Sequence, residues 1–267
     1  MSYPTFHGKV AVVTGAGSGI GRALAVKLAA RGARLALSDI DEAGLAATVA
    51  QCGAAEVRAY RLNVADRDAV LAHAADVERD FGAAHHVFNN AGATLVGTFE
   101  HSSLEEIDWQ LGINLNGVIY GSKAFLPLML RQREGCIVNI SSVFGLVGYP
   151  AQSAYNISKF GVRGLTECLW AELAGSGVRA VCVHPGGIKT NIERAGRRVK
   201  LANHQEADFS AKAEKMLKTS PEECAEDILR GIEAGKLRIL TGNYSRIIHW
   251  LSRLFPNGYP AIIKRLG

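Results

Sequence analysis

Seven short runs rich in aliphatic and β-branched residues, at 10–13, 34–38, 57–62, 87–89, 137–140, 179–184 and 237–240, are bounded by turn residues and read as buried strands. Between them apolar positions recur three and four apart. This spacing predicts helices over 22–31 and 41–51, from the N-cap candidate Asp66 to 81, over 104–131, from 153 onward, and over 221–234 and 244–255, with a shorter helix at 261–266. Strand and helix alternate along the chain, so the expected fold class is α/β with a doubly wound parallel sheet. Asn114, Asn116 and Gly117 interrupt the helix at 104–131, and an asparagine there competes with its own backbone, which predicts a kink. The polar segment 191–220 lacks β pattern and reads as a mobile lid.

A chain of 267 residues, 48% hydrophobic, suffices for one core, so we expect a single domain at 1–242 followed by a tail at 243–267. Cysteines at 52, 136, 168, 182 and 224 form no paired spacing and no cluster with histidine, which argues against a disulfide framework and a metal site. With no signal pattern and no run of about 18 apolar residues, the expected location is cytoplasmic. The net charge of +5 is uneven, since residues 235–267 hold six Lys/Arg and no Asp/Glu. In the tail Tyr244, Ile247, Ile248, Trp250, Leu251, Leu254 and Phe255 share one helical face, with Ser245, Arg246, His249, Ser252 and Arg253 opposite. Such a basic amphipathic segment, 244–266, is built either to lie on an anionic membrane surface or to pack on the core or a partner subunit. No aromatic-interleaved basic stripe is present, so nucleic acid is not an expected partner.

The first strand runs into Gly15-Ala-Gly-Ser18-Gly19-Ile20-Gly21 and then a helix. Strand, glycine turn and helix make a dinucleotide-binding start, because glycines let a pyrophosphate approach backbone N–H groups at the positive helix end. Asp39, ending the second strand, lies where a carboxylate binds a ribose 2′-hydroxyl and repels a 2′-phosphate. Ser18 and Ile40 supply no cation for such a phosphate, so the expected cofactor is NAD rather than NADP. Small residues in Asn89-Asn90-Ala91-Gly92 allow backbone to approach that cofactor.

The candidate chemistry lies between 137 and 159. The strand at 137–140 delivers Ser141-Ser142 at its C-terminal end, where open parallel sheets bind ligands. Thirteen residues after Ser142, Tyr155 and Lys159 stand one helical turn apart on one face. A tyrosine of pKa ~10 is a poor base at neutral pH, and a neighbouring ammonium favours its phenolate. A serine hydroxyl beside it stabilises charge developing on a substrate oxygen. Asn114 is either a tolerated kink or a carbonyl that positions a water next to Lys159.

Together, in this order over residues 7–242, these motifs resemble the short-chain dehydrogenase/reductase family. The resemblance implies a Rossmann-like sheet of about seven parallel strands. It makes Tyr155 the acid/base, Lys159 the residue that lowers the tyrosine pKa and binds the nicotinamide ribose, Ser142 the substrate-oxygen ligand and Asn114 the anchor of a relay water. It makes Gly15, Gly19, Ile20, Asp39, Asn90, Pro185 and Thr190 cofactor contacts, and Ser18, Gly21, Asn63, Val64, Ala91, Gly92, Gly186 and Ile188 complete the expected set with Tyr155 and Lys159. Asn63 stands where the family usually has an aspartate, but its amide carbonyl can accept the same bond. His184 is either a ligand contact or a packed, hydrogen-bonded histidine.

The expected substrate contacts are Ser142, Phe144, Tyr149, Tyr155 and Gly187, within a mostly apolar wall that includes Val143, Val147 and Thr94. The leading expectation is an NAD-dependent oxidoreductase for a lipophilic secondary alcohol or ketone. Small polar diols, hydroxyketones or sugars are the alternative substrates, Arg194, Arg197 and Arg198 suit an acidic group, and an NAD-binding scaffold or redox sensor is the non-enzyme alternative. The family usually pairs its long helices, which implies a homodimer or homotetramer.

Overall fold

A computed structural model describes residues 6–190, 192, 196–200 and 217–266. Most of the 191–220 segment expected as a lid, Arg194 included, lies outside the described residues. The described elements are β1 (Val10–Thr14), α1 (Gly19–Ala30), β2 (Arg34–Asp39), α2 (Glu42–Gln51), β3 (Val57–Arg61), α3 (Arg67–Phe81), β4 (His86–Asn89), β5 (Leu95–Val96) and α4 (Leu104–Leu111). A π-helical turn (Gly112–Asn116) leads into α5 (Gly117–Gln132) and β6 (Gly135–Ile140). A 3-10 turn (Val143–Gly145), α6 (Ser153–Glu172), β7 (Val178–Gly186) and β8 (Arg197–Arg198) follow. The chain closes with α7 (Pro221–Glu233), β9 (Arg238–Gly242), α8 (Ser245–Leu254) and α9 (Tyr259–Leu266).

Seven strands form one parallel sheet in the order β3-β2-β1-β4-β6-β7-β9. The period of two along each strand divides its side chains between two cores. Val13, Leu35, Phe88 and Val138 meet Leu24 and Leu28 of α1 and Ile228 and Leu229 of α7 on one face. Val10, Val12, Val87 and Ile137 meet Val77 and Phe81 of α3, Phe125 and Met129 of α5 and Leu169 of α6 on the other. This single-domain, Rossmann-like α/β fold agrees with the sequence expectation. Strand order reverses direction between β1 and β4, which opens a crevice at the carboxyl ends of the strands.

Local chemistry sets the element ends. Asp66 accepts the Ala69 N–H at 3.0 Å and caps α3 as expected. Ser103 and Ser220 each close a capping box with the glutamate three residues on, Glu106 and Glu223. Three features differ from the sequence reading. The kink at Asn114 is a π-helical turn. Strand β7 runs past Pro185 to Gly186 because β9 pairs along its whole end. Strands β5 and β8 form a separate two-stranded ribbon, too short to leave a periodic signal.

Candidate active site

A cavity of about 690 Å³ lies at the carboxyl ends of the strands. Of the expected cofactor residues it is lined by Gly15, Ser18, Gly19, Ile20, Asp39, Asn63, Val64, Asn90, Ala91, Gly92, Tyr155, Lys159, Pro185, Ile188 and Thr190. All five expected substrate residues, Ser142, Phe144, Tyr149, Tyr155 and Gly187, line it as well. Gly21, Gly186 and Asn114 are brought close but lie outside the lining.

The glycine loop is a cradle closed by its own backbone. Gly15 has φ +66, and a Cβ there would sit 2.7 Å from Ala91 Cα, so this position requires glycine on both counts. Gly21 faces the loop itself, because a Cβ would meet the Gly15 carbonyl oxygen at 2.0 Å. The Gly17 N–H donates to one Asp39 carboxylate oxygen at 2.7 Å and the Asp41 N–H donates to the other at 2.9 Å. Asp39 therefore fixes the loop as well as lining the cavity. Arg22, the nearest arginine in sequence, is turned into the scaffold: it donates to the carbonyls of Gly17 and Gly44 and, at 3.0 Å, to the Thr48 hydroxyl.

Thr14, which sequence reasoning passed over, joins this loop to the end of β4. Its buried hydroxyl oxygen accepts from the N–H groups of Asn90 and Ala91, each at 3.1 Å, and donates to Phe88 O at 3.3 Å. The Asn90 amide donates to Thr14 O at 2.9 Å and Gly15 O at 3.2 Å. Nothing in the run 10–14 distinguishes this threonine from an ordinary strand residue.

At the end of β6 the two serines take different tasks. Ser141 is buried and donates to Lys159 O at 2.8 Å, tying β6 to α6. Ser142 accepts the Phe144 N–H at 3.1 Å as the cap of the 3-10 turn. Accepting this bond leaves the hydroxyl proton of Ser142, a lining residue, available for donation. His184 is wholly buried, with Nδ1 2.9 Å from Ser142 O. A carbonyl only accepts, so Nδ1 carries the proton, and burial pushes the imidazole pKa down to about 4. The packed alternative for His184 is the one this geometry carries, since the ring lies outside the lining.

Tyr155 and Lys159 lie one turn apart on α6 as expected, with Nζ 5.5 Å from the Tyr155 ring centroid. Nζ donates to Ile140 O at 2.9 Å, and burial pushes the ammonium down to about 8. The side chain of Asn114 clamps both backbone groups of Ala93: Oδ1 accepts the Ala93 N–H and Nδ2 donates to Ala93 O, each at 2.8 Å. Both Asn114 and Lys159 flank Gly92, where a Cβ would stand 3.4 Å from Asn114 Oδ1 and 3.8 Å from Lys159 Nζ. The wider turn of a π-helix lets Asn114 reach Ala93, and such turns gather at functional sites.

The far end of the cavity is built from large side chains. Phe144 stacks on Tyr149 at 5.0 Å between centroids and meets the Tyr155 ring edge-on at 6.0 Å. Asn156 holds that loop, donating to the carbonyls of Phe144 and Val147 at 2.8 Å each and accepting the Tyr149 N–H at 3.1 Å. Arg197 of β8 lies 3.9 Å over the Trp109 ring. Tyr244, Ile247, Ile248 and Leu251 of the tail also line this end. Gln152 is 1% exposed; its Oε1 accepts from Thr94 Oγ1 at 3.2 Å, and its Nε2 has no partner among the described residues. Asn156, Trp109, Gln152 and the tail residues were not read as site residues from sequence: the fold alone brings Trp109 and the tail to Tyr155, and Gln152 and Asn156 sit beside it in the chain but bond to partners the sequence does not mark.

Residues 9–200 match the family described as short chain dehydrogenase. A protein of Mycobacterium tuberculosis described only as an oxidoreductase, SadH, is 45% identical over 264 residues, covering 97% of this chain and 95% of its own. The cyclohexanol dehydrogenase of an Acinetobacter species is 38% identical over 190 residues, 70% of this chain and 76% of its own. Among solved structures, a short chain dehydrogenase/reductase from Burkholderia phymatum in complex with NAD superposes with a TM-score of 0.87 at 35% identity, over 94% of each chain. A metagenomic short-chain oxidoreductase in complex with NADP gives 0.73 at 27% identity, over 89% of this chain and 98% of its own. With the family matched over residues 9–200 and the fold shared along nearly the whole chain, the chain belongs to the short-chain dehydrogenase/reductase family and is an oxidoreductase of the alcohol and ketone type.

Proposed function

We propose that the protein is an NAD-dependent dehydrogenase or ketoreductase acting on a lipophilic secondary alcohol or its ketone. The observation that carries this reading is the convergence of Ser142, Tyr155 and Lys159 on one cavity whose substrate end is mostly aromatic and aliphatic, with Thr94, Gln152 and Arg197 as its polar members. The other end suits a dinucleotide, because the turn at Gly15 and Gly19, both at positive φ, carries no side chain and leads into a helix N-terminus. Gly15, Ser18, Gly19 and Ile20 would hold the pyrophosphate, Asp39 the adenosine ribose, Asn63 and Val64 the adenine, and Lys159 and Thr190 the nicotinamide side. When bound, the nicotinamide ring supplies or accepts the hydride. Ser142 donates a hydrogen bond to the substrate oxygen. Tyr155 transfers the proton to or from that oxygen, and the buried Lys159 ammonium favours its phenolate. Asn114 acts through Ala93, keeping the wall beside Gly92 in place.

The cofactor preference rests on Asp39. Its carboxylate and the neighbouring lining residues Ser18, Ile40 and Leu62 offer a ribose hydroxyl an acceptor and a 2′-phosphate no cation. The name cyclohexanol dehydrogenase designates an apolar secondary alcohol, the class that this wall suits. The free Nε2 of Gln152 favours a lipophilic substrate carrying a second oxygen acceptor over a plain hydrocarbon alcohol. Exposed Ile119 and Leu130 on α5 and Ile157 and Phe160 on α6 support a homodimer or homotetramer formed through these helices.

The test is NADH or NADPH formation across cyclic, long-chain and small polar alcohols. Turnover with NAD and the lipophilic members is expected, and Tyr155→Phe should lower kcat by about 10²–10⁴-fold with cofactor affinity unchanged. Turnover confined to small diols or sugars would overturn the substrate class, and preference for NADP would overturn the role of Asp39.

A further inference from the structure

Helix α8 is docked with its polar side inward. Its buried residues are Ser245 and His249, which face β7, β9 and the 3-10 turn. Its apolar stripe faces outward, with Ile247 62%, Trp250 58% and Leu254 66% exposed, and Phe255 just beyond it 54% exposed. Tyr244 at the start of the helix and Ile262 on α9 are exposed as well. An amphipathic helix packed on a core ordinarily hides this stripe. Single exposed apolar residues need no explanation, but a contiguous set beside charged neighbours marks a contact surface.

Charge decides between occupants. Arg246 and Arg253 are exposed beside the stripe, and the chain from 235 to 267 holds six Lys/Arg and no Asp/Glu. A two-fold contact between copies lays a patch against itself, which would oppose these arginines with no carboxylate in the segment to neutralise them. An anionic lipid surface takes both parts. Trp250 and Phe255 suit the headgroup level, the aliphatic residues suit the acyl boundary, and the arginines suit lipid phosphates. The flank of the same helix supplies Ile248 and Leu251 to the cavity, with Tyr244 and Ile247 at its rim. No described helix is long and apolar enough to cross a membrane, so the contact is with a surface.

We infer that α8 docks the protein peripherally on an anionic membrane, through Ile247, Trp250, Leu254 and Phe255 flanked by Arg246 and Arg253, which sets the apolar end of the cavity at the lipid surface. The inference stands apart from the cofactor and the reaction. In a flotation assay the full-length protein is expected to rise with vesicles of phosphatidylcholine and phosphatidylglycerol, to rise far less with phosphatidylcholine alone, and to lose binding as salt increases. W250E/L254E, whose residues lie outside the cavity lining, should float about tenfold less or worse at an unchanged melting temperature. R246E/R253E should lose the preference for anionic vesicles. Full-length protein that stays at the bottom with anionic vesicles would overturn the inference. So would W250E/L254E that floats like the wild type, or that only shifts the sedimenting mass of an oligomer, which would assign the face to a second copy. Alcohol turnover is measured without lipid, so either reading can fail alone.

Discussion

At the end of the cavity bounded by β1 and β2 a glycine turn brings backbone to the wall, whereas the end bounded by α6 and α8 is built from large side chains. The first end presents Gly15, Ser18 and Gly19, with Asp39 bonded to the loop it faces and Asn90 bonded to the carbonyls of Thr14 and Gly15. The second presents Phe144, Tyr149, Tyr155, Trp109, Ile248 and Leu251, drawn from four separate stretches of chain. A backbone wall has one shape whatever the surface sequence, so it suits a ligand shared by many enzymes. A side-chain wall changes with each substitution, so it suits the ligand that distinguishes them.

The sharpest way to separate the two ends is Ser142→Ala. If the hydroxyl acts on charge developing at the substrate oxygen, kcat should fall by about 10²–10³-fold, as for loss of one oriented donor, while the cofactor Kd stays unchanged. A comparable loss in cofactor Kd, read by fluorescence titration, would show that the ends are not independent.

The next effect falls on the other end. A methyl group at Gly21 would stand 2.0 Å from Gly15 O, a backbone atom, and 2.6 Å from Asn90 Nδ2, which is itself bonded to that loop. Gly21→Ala should therefore cost about 1–3 kcal/mol in stability by overpacking and weaken cofactor binding. Thermal unfolding with and without cofactor checks this, and a variant with unaltered melting and affinity would break the picture of a closed backbone cradle.

The same contrast explains which parts of the molecule were legible in sequence. The cradle is local: strand, glycines, helix and Asp39 lie within 10–39, and their spacing carries the geometry. Tyr155 and Lys159 were legible because the helical period alone puts them on one face. Asn114 was legible as an interruption, but its clamp on Ala93 was not, because a π-helical turn has no compositional mark. Thr14, Gln152 and Asn156 act through bonds to distant backbone or side chains and look like ordinary residues in their own runs. The tail was read correctly as an amphipathic helix, yet its orientation was not legible. Polarity says which residues share a face, and the pocket that Ser245 and His249 enter decides which face turns inward.

The smallest expected effect tests whether the substrate end is the adjustable one. His249 anchors α8, and burial holds its pKa below the ordinary ~6.5, with Arg253 on its own helix, Arg238 on β9 and Arg163 on α6 lowering it further and Glu167 on α6 opposing them. The docked helix thus takes up a proton less readily than an undocked one. Docking is complete above about pH 6.5 and weakens as pH falls below it. His184 beside it stays neutral until about pH 4 and does not titrate in that window. Because Ile248 and Leu251 ride on α8, a loosened helix should raise the KM for a lipophilic alcohol by roughly twofold to fivefold between about pH 7.5 and about pH 5.5, with the KM for NAD nearly constant. Melting temperature is the wrong readout. Burial also pushes His73 down to about 4 and His86 to about 3, so acid lowers global stability on their account. H249Q, which keeps a polar neutral group at the anchor, should abolish the pH dependence of the alcohol KM. If the dependence persists in H249Q, or appears equally in the KM for NAD, the titrating group lies elsewhere and α8 is as fixed as the cradle.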